Sequence, residues 1–260
     1  MTAAIVLPAR LASTRLARKL LLDRTGKTLL EHTVERALAA RAAHPEFFRT
    51  VLVACDDESL MAVARRAGAD GVMTRPDHQS GTERLAEAAT NLEEEIIVNL
   101  QADEPEMQPE SIFRVAALLK DGPEEVPMAT LATPIVDEAK WRKPNVVKVV
   151  IGQDGRALYF SRAPIPFPRD EGHAPERWQS GGKRIYGLHH LGLYAYRRPF
   201  LLQIPSLPAS RLEQLEQLEQ LRVLEAGYGI RVGETDSHPP GIDTLEEYEQ
   251  FVARRKASAG

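Results

Sequence analysis

Short apolar runs alternate with helical patterns through the first half of the chain, and this alternation limits the fold more than any other feature. Runs rich in β-branched or apolar residues cover 3–7, 50–54, 95–100 and 126–135. Amphipathic patterns predict helices over 28–43, 57–70, 82–92 and 109–120. Strands that alternate with helices favour crossover connections, which place helices on both faces of a mainly parallel sheet. The sequence therefore predicts an α/β fold.

The pattern changes beyond about residue 140. Further strands are predicted over 146–151, 155–160 and 189–197. The segment 161–184 between the last two is rich in proline, glycine and charged residues, and it is longer than an ordinary connection. We therefore expect this segment to be functional or mobile.

Two helices are predicted near the end of the chain. Leucines recur every third residue over 211–229, which predicts one long helix; a strict period of three drifts around a helix and excludes a coiled-coil seam. A last helix is predicted over 241–256, with Thr244 and Glu247 as a capping box. Because no linker is apparent, we predict a single domain over 1–260, with a smaller lobe at roughly 140–210.

Charge and composition limit the partners that this chain can have. The net charge of −4 gives no overall field that favours nucleic acid or an anionic membrane. Cys55 is the only cysteine, which excludes an internal disulfide and a thiol metal cluster. No apolar run approaches the about 18–20 residues of a membrane span, and no signal-peptide pattern opens the chain. We expect a cytoplasmic protein with neither a nucleic-acid nor a membrane partner.

The first predicted strand is followed by a basic loop, "PARLASTRLARK", over residues 8–19. Arg10, Arg15 and Lys19 are spaced by five and four, and the loop has neither a dinucleotide fingerprint nor a P-loop motif. Ligands of open parallel sheets bind beyond the carboxyl ends of the strands, and arginine and lysine suit a polyphosphate. The alternative is a solvated loop with scattered basic residues.

Carboxylates and one histidine give further candidates. Asp103 follows the strand at 95–100 and is expected at the same edge of the sheet as the basic loop. Asp243 precedes the last helix, where an aspartate is as often a helix N-cap as a ligand. Alternation along 189–197 places His190 on the same strand face as Tyr194. By itself, such a histidine is more often structural than functional.

Several blocks together resemble one enzyme family. The basic loop, "DHQSGTER" at 77–84, "QADEPEM" at 101–107, "LEQLRVLE" at 218–225 and "GIDTLEEYE" at 241–249 occur in the order typical of the 3-deoxy-manno-octulosonate (Kdo) cytidylyltransferases. The resemblance extends nearly end to end. It implies a three-layer domain like that of nucleotide-diphospho-sugar transferases, with a lobe for sugar binding and dimerisation. It also implies Mg²⁺-dependent transfer from CTP to Kdo for lipopolysaccharide biosynthesis, by a homodimer.

The resemblance also implies roles for individual residues. The catalytic residues would be Arg10, Lys19, Asp103 and Asp243. Both aspartates would bind Mg²⁺, with Glu104 and Glu106 as secondary candidates. The nucleotide would be bound by Pro8, Ala9, Arg10, Arg15, Lys19, Ser80, Gly81, Thr82, Gln101 and Asp103. The sugar would be bound by Arg84, Arg162, His190, Tyr194, Glu219 and Gln220.

The chain departs from the family pattern at two places. The first loop reads Ala17-Arg18-Lys19-Leu20 where familiar members read P-G-K-P, and Ala102 replaces the usual glycine before the aspartate. A glycine at such positions often permits a positive φ or a close approach of the backbone to a neighbour. The sequence alone therefore does not define the backbone path at these two places.

Three rival functions remain open at this stage. The substrate could be another acidic sugar, such as sialic acid or an amino analogue of Kdo. A metal-dependent glycosyltransferase would normally show a D-x-D motif, which "ADEPE" does not supply. A catalytically inactive nucleotide-binding regulator is opposed by the retained aspartates and basic loop.

Overall fold

A computed structural model describes residues 1–13, 15–169, 179–180, 183–236 and 240–258. Parts of the predicted long segment at 161–184, namely 170–178 and 181–182, lie outside the described residues. No helix in the described ranges is both long and apolar enough to cross a bilayer.

The first half of the described chain follows the predicted alternation of strands and helices. Its elements are β1 (Ala3–Ala9), α1 (Leu29–Ala43), β2 (Phe48–Cys55), α2 (Glu58–Arg66), β3 (Asp70–Met73), α3 (Gly81–Ala89), β4 (Ile96–Asn99), α4 (Pro109–Lys120) and β5 (Met128–Ile135). Only β3 was not predicted. It is a four-residue edge strand whose side chains are all at least partly exposed, so it lacks an apolar run.

The second half adds shorter elements. They are α5 (Glu138–Trp141), β6 (Lys148–Ile151), β7 (Ala157–Ser161), β8 (Gln179–Ser180), β9 (Lys183–Arg184), β10 (Gly187–Arg197), α6 (Arg198–Gln203), α7 (Arg211–Glu216), α8 (Gln220–Glu225), β11 (Ile230–Glu234) and α9 (Leu245–Ala257). β11 was not predicted, and it lies at the edge of the sheet beside β5.

The nine-stranded sheet has the order β11-β5-β10-β4-β1-β2-β3, with β6 pairing to β10 and β7 to β6. Pairs within β4-β1-β2-β3 are parallel, whereas β10 is antiparallel to β4, β5 and β6. The chain runs from β1 outward through β2 and β3, and then returns to β4 on the other side of β1. This reversal is a topological switch point, where open α/β sheets form a crevice for ligands.

Alternation along β1 shows how the sheet separates two apolar layers. Ile5 and Leu7 pack into one core with α1, α2, α4 and α9, whereas Ala4 and Val6 pack into the other with α3, α6 and α8. All four side chains are fully buried, which is typical of a strand covered by helices on both faces. The predicted three-layer α/β architecture is confirmed.

The prediction of one long helix over 211–229 is wrong. The helix breaks after α7 at Gln217, whose φ of 53° is left-handed, and it restarts as α8. The reason is packing: the leucines rotate around the helix, so Leu215 is 80% exposed while Leu218 and Leu221 are buried in the second core. The break allows both buried leucines to contact that core.

β6 and β7 extend the main sheet through β10. The predicted role of the lobe at 140–210 in sugar binding and dimerisation stays a prediction.

Candidate active site

Two adjoining cavities open at the carboxyl ends of β1 and β4. The first, of about 460 Å³, is here called the basic cavity. Its polar lining includes Arg10, Ser13, Arg15, Lys19, Arg84, Gln101, Asp103, Glu104 and Asp243. The second, of about 470 Å³, is here called the inner cavity, and its lining includes Asn99, Tyr194, Tyr196, Gln217, Gln220 and Arg222. Both cavities share residues 79–81, Gln101 and Glu219.

Lys19 lies at the centre of the charged groups in the basic cavity. Its ammonium donates to Asp103 Oδ2 at 2.6 Å and to Asp243 Oδ1 at 2.8 Å. Burial alone would lower the pKa of Lys19, but the two carboxylates raise it above its usual value. The lysine therefore carries a full charge between the two aspartates that the sequence analysis selected.

Asp243 is not a helix N-cap. Thr244 caps α9 instead, in the predicted capping box with Glu247, and the Asp243 N–H donates to the same Glu247 carboxylate at 2.8 Å. The Asp243 carboxylate is thereby directed to cations: Arg15 Nη2 lies 2.9 Å from Oδ2, and Lys19 binds Oδ1. The N-cap alternative is excluded by this geometry.

Glu104 is a third carboxyl group at this point of the cavity. Its Oε2 is shielded from solvent and has no hydrogen-bond partner within the described ranges. Burial, and then the neighbouring charges of Asp103 and Asp243, raise the pKa of Glu104 to about 8. Glu106, the other secondary candidate, instead binds Arg254 at 2.6 Å and does not line either cavity.

Asp103 and Asp243 are the donor set that the sequence predicts for Mg²⁺. Within the part of the chain that the structure describes, no three His, Cys, Asp or Glu residues are placed to hold a metal by themselves. Asp103 and Asp243 nevertheless reach a single nitrogen atom, so they are close enough to share one cation. Mg²⁺ commonly uses one or two carboxylates together with substrate phosphate oxygens and water. The residues present fit Mg²⁺ that binds together with a phosphate-bearing substrate.

The Arg84 side chain of α3 is buried and does not lie on the exposed surface of the helix. Its guanidinium binds Asp56 Oδ2 at 3.0 Å and also donates to the Thr74 hydroxyl. Asp56 Oδ1 accepts from the Leu11 N–H at 2.9 Å, which connects α3 to the basic loop. Sequence reasoning missed Asp56, because only its neighbour Asp57 carries a local signal as the N-cap of α2.

The segment shared by the two cavities is the N-terminus of α3. Ser80 is the N-cap and accepts from the Glu83 N–H at 3.2 Å, so Gly81 and Thr82 form the first helical turn. The Thr82 hydroxyl donates to Glu219 Oε2 at 2.7 Å. This bond joins α3 to the start of α8 at the boundary between the two cavities.

Tyr194 and Gln220 form the polar wall of the inner cavity. The Tyr194 hydroxyl donates to Gln220 Oε1 at 3.2 Å. Burial, followed by the nearby Tyr196 and Glu219, raises the pKa of Tyr194 well above its usual range, so its hydroxyl stays protonated. The predicted group Tyr194, Glu219 and Gln220 is therefore brought together at one cavity.

Arg162 and His190 do not line either cavity themselves, but both lie against residues that do, and their role in binding the sugar stays a prediction. The Arg162 guanidinium is held by the backbone carbonyls of Pro144, Glu216 and Gln217 at 2.7–3.2 Å. The His190 ring is buried, with Nε2 3.0 Å from the Thr130 hydroxyl. Both side chains therefore lie beside the inner cavity: Arg162 binds the carbonyl of Gln217, and the His190 ring centroid is 5.4 Å from that of Tyr194.

Most of the predicted nucleotide-binding residues line one of the two cavities. Pro8, Arg10, Arg15, Lys19, Ser80, Gly81, Gln101 and Asp103 line the basic cavity. Thr82 lines the inner cavity. Ala9 lines neither cavity: its side chain lies on the same face of β1 as Ile5 and Leu7 and is buried in the first core, so its part in nucleotide binding stays a prediction for its backbone.

The two departures from the family pattern have different structural consequences. Arg18 has φ of 50°, a left-handed conformation that glycine adopts without steric cost. Ala102 is buried and its φ is not positive, so alanine fits the backbone there; its carbonyl accepts from Thr33 at 2.8 Å. The loop before Asp103 therefore does not require glycine.

Comparisons with known proteins agree with this fold and identify the family. A family model described as "Cytidylyltransferase" matches residues 3–234, so the fold and site define a cytidylyltransferase. A 3-deoxy-manno-octulosonate cytidylyltransferase of Rhodopirellula baltica is 46% identical over 258 residues, covering 96% of this chain and 97% of the relative. One of the same name from Syntrophotalea carbinolica is 44% identical over 253 residues, covering 97% and 98%.

One solved structure is similar to this chain in both sequence and fold. CMP:2-keto-3-deoxy-manno-octonic acid synthetase, complexed with CTP, is 39% identical; the alignment covers 99% of this chain and 100% of that one, with a TM-score of 0.88. The chain belongs to the 3-deoxy-manno-octulosonate cytidylyltransferase family.

Proposed function

We propose that this protein transfers the cytidylyl group from CTP to Kdo, releasing pyrophosphate and forming CMP-Kdo for lipopolysaccharide biosynthesis. The observation that carries the proposal is the continuity of the two cavities, which share Gln101, Glu219 and the start of α3. Such a shared boundary suits transfer between two substrates bound side by side. The near full-length identity to relatives of this name supports the choice of substrates.

The basic cavity is the proposed site of the nucleotide. Arg10, Arg15 and Lys19 present cations from one loop, and these suit the charge of a triphosphate. The same groups can stabilise the negative charge that develops on the departing pyrophosphate. Ser80, Gly81 and Gln101 line the adjoining part of the cavity, where we place the ribose and the base.

The inner cavity is the proposed site of Kdo. Tyr194 and Gln220 offer hydroxyl and amide groups that suit a polyhydroxylated sugar, and Glu219 lies at the boundary with the nucleotide. Arg162 and His190 stay proposed sugar-binding residues beside this cavity. The Arg162 guanidinium binds the carbonyl of Gln217, which lines the cavity, and the His190 ring centroid lies 5.4 Å from that of Tyr194.

The reaction is an in-line displacement at phosphorus. The anomeric hydroxyl oxygen of Kdo forms a bond to the α-phosphorus of CTP, and the bond from that phosphorus to the bridging oxygen of the β-phosphate breaks. The hydroxyl proton is lost to solvent or to a phosphate oxygen, and pyrophosphate leaves. Mg²⁺, held by Asp103 and Asp243, would lower the pKa of the hydroxyl and neutralise phosphate charge. The protein contributes mainly positioning and charge.

A cytoplasmic homodimer is also part of the proposal. Leu158 on β7 is 66% exposed and Phe167 is 82% exposed, and both lie in the predicted lobe. Exposed apolar side chains of this size are typical of surfaces that contact a partner. The mass in solution, measured by light scattering, tests the dimer: replacing both residues with serine should yield monomer.

Pyrophosphate release from the purified protein tests the reaction. The assay contains CTP and Mg²⁺ with either Kdo or sialic acid, and it includes Asp103→Asn beside the matched control Asp77→Asn. Asp77 is 71% exposed and lies outside both cavities. Release with Kdo alone, lost in Asp103→Asn and retained in the control, is the expected result. Pyrophosphate release with another acidic sugar instead would overturn the assignment of Kdo as the substrate. No release with any sugar would favour a catalytically inactive regulator.

A further inference from the structure

Asp103 and Asp243, the two candidate Mg²⁺ ligands, both bind the ammonium group of Lys19. Lys19 is separated from Asp103 by 84 residues and from Asp243 by 224, yet its ammonium lies 2.6 and 2.8 Å from one oxygen of each. The Lys19 side chain is only 10% exposed, whereas those of the aspartates are 30% and 41% exposed. The ammonium is therefore more deeply buried than the two carboxylates that it binds.

The contacts of Asp243 leave little free room for a second cation. Its Oδ1 binds Lys19 and its Oδ2 binds Arg15 at 2.9 Å. Two carboxylates are thus balanced by two positively charged side chains. A divalent cation that binds both aspartates has to compete with the lysine for Asp103 Oδ2 and Asp243 Oδ1.

Displacing Lys19 from the two aspartates costs free energy unless its ammonium binds another negatively charged group. A buried charge that loses its counter-charges keeps the full penalty of its desolvation. Lys19 also lines the basic cavity, where phosphate oxygens of the proposed nucleotide would be within reach of a small side-chain movement. A triphosphate can therefore accept the ammonium that a divalent cation displaces.

We propose that Lys19 is an exchangeable counter-ion that makes divalent-cation binding by Asp103 and Asp243 depend on the triphosphate. The inference rests on the proposed function for the identity of the phosphate ligand. Without a nucleotide, Lys19 outcompetes the cation for the aspartates. With a nucleotide, the ammonium transfers to phosphate oxygens, and cation and nucleotide each strengthen the binding of the other by the same factor.

A rival arrangement makes a different prediction. Lys19 could remain on the aspartates and bind the triphosphate only with its third N–H. In that case the lysine does not compete with the divalent cation for a binding position, and its removal strengthens cation binding only through the loss of one positive charge. Removal of Arg15, whose guanidinium lies 2.9 Å from Asp243 Oδ2, would then have a comparable effect.

Titration with Mn²⁺ alone, followed by electron paramagnetic resonance of the free ion, distinguishes the two. The proteins are wild type, Lys19→Met, Arg15→Met, which also removes one positive charge from the cluster, and the control Lys27→Met. Lys27 pairs with Glu35, is 52% exposed and does not line either cavity. We expect weak Mn²⁺ binding in wild type and in the Lys27→Met control, and at least tenfold tighter binding in Lys19→Met than in Arg15→Met. Binding in Lys19→Met that is no tighter than in Arg15→Met overturns the proposal.

Two further measurements keep the test decisive. The melting temperature of Lys19→Met should rise with added Mn²⁺ by more than that of wild type, because the ion replaces the lost ammonium; an equal response counts against the proposal. Should Lys19→Met not fold, Lys19→Gln is titrated in its place with the same expectation. The titration contains neither nucleotide nor sugar, so its failure is distinguishable from a failure of the proposed reaction.

Discussion

Asp56 joins the basic loop to α3, and its replacement by asparagine tests whether this connection supports the basic cavity. Oδ1 accepts from the Leu11 N–H at 2.9 Å, and Oδ2 accepts from Arg84 at 3.0 Å. An asparagine amide can accept at only one of these two positions, and its NH₂ group then faces a donor at the other. The Arg84 guanidinium, 4% exposed, also loses its counter-charge.

The expected cost follows from these contacts. Removal of one partner from a buried ion pair costs about 3–5 kcal/mol, and we take the lower end because the Asp56 side chain is 12% exposed. About 3 kcal/mol corresponds to a fall in melting temperature of roughly 6–10 °C for a chain of this size. The KM for CTP should rise by more than kcat falls, because Leu11 belongs to the nucleotide-side loop and not to the reacting atoms.

Asp77→Asn is the matched control for this substitution. Asp77 also pairs with an arginine, Arg75, but at 3.8 Å and with about 70% of both side chains exposed. Such a pair is worth at most about 0.5 kcal/mol. Urea unfolding followed by circular dichroism gives both values. A difference of less than 1 kcal/mol between Asp56→Asn and Asp77→Asn would refute the reasoning.

Three further comparisons of variants test other contacts. Arg18→Gly should be about 1 kcal/mol more stable than Arg18→Ala in urea unfolding, since only glycine adopts φ of 50° without strain; equal stabilities contradict this. A hydrogen bond from Arg66 holds the pKa of Glu31 at about 2, below its usual 4.5. Glu31→Gln should therefore lower stability at pH 7 by about 1–2 kcal/mol, and the difference from wild type should vanish as the pH falls from 4.5 through 2. Leu221→Ala should cost about 3 kcal/mol because the side chain is fully buried, whereas Leu215→Ala, at an 80% exposed position, should cost almost nothing; similar losses would contradict the observed helix break.

The sequence predicts most elements of the main sheet because their signals are local. Strands such as β1 and β2 are covered on both faces, so they appear as continuous apolar runs, and α9 begins at a visible capping box. The edge strands β3 and β11 are shorter and partly exposed, and their pattern carries no comparable signal. The break at Gln217 also escaped prediction, because helix propensity along 211–229 is high throughout and packing of Leu218 decides otherwise.

The residues of the candidate site likewise separate into those that have a local sequence signal and those that have none. The basic loop and Asp103 were found because each follows a recognisable strand, whereas the residues at the start of α3 were predicted from the family resemblance. Asp56 gives no local signal, and its role depends on an arginine 28 residues away. Arg162 and His190 have the right chemistry for an acidic sugar, but neighbouring carbonyls and a buried threonine already engage them.

By itself, the sequence determined the family, the α/β order of elements and the types of charged group that end the strands, since these depend on residue patterns over a few turns. The tertiary structure alone decided which of these groups meet. β1 lies between β4 and β2 in the sheet, so the basic loop, Asp103 and Asp56 emerge side by side at one edge. Lys19 reaches Asp243 across 224 residues only because α9 packs on the same core as β1 and β4. Strand order and packing bring these residues together, and no local pattern encodes the resulting distances.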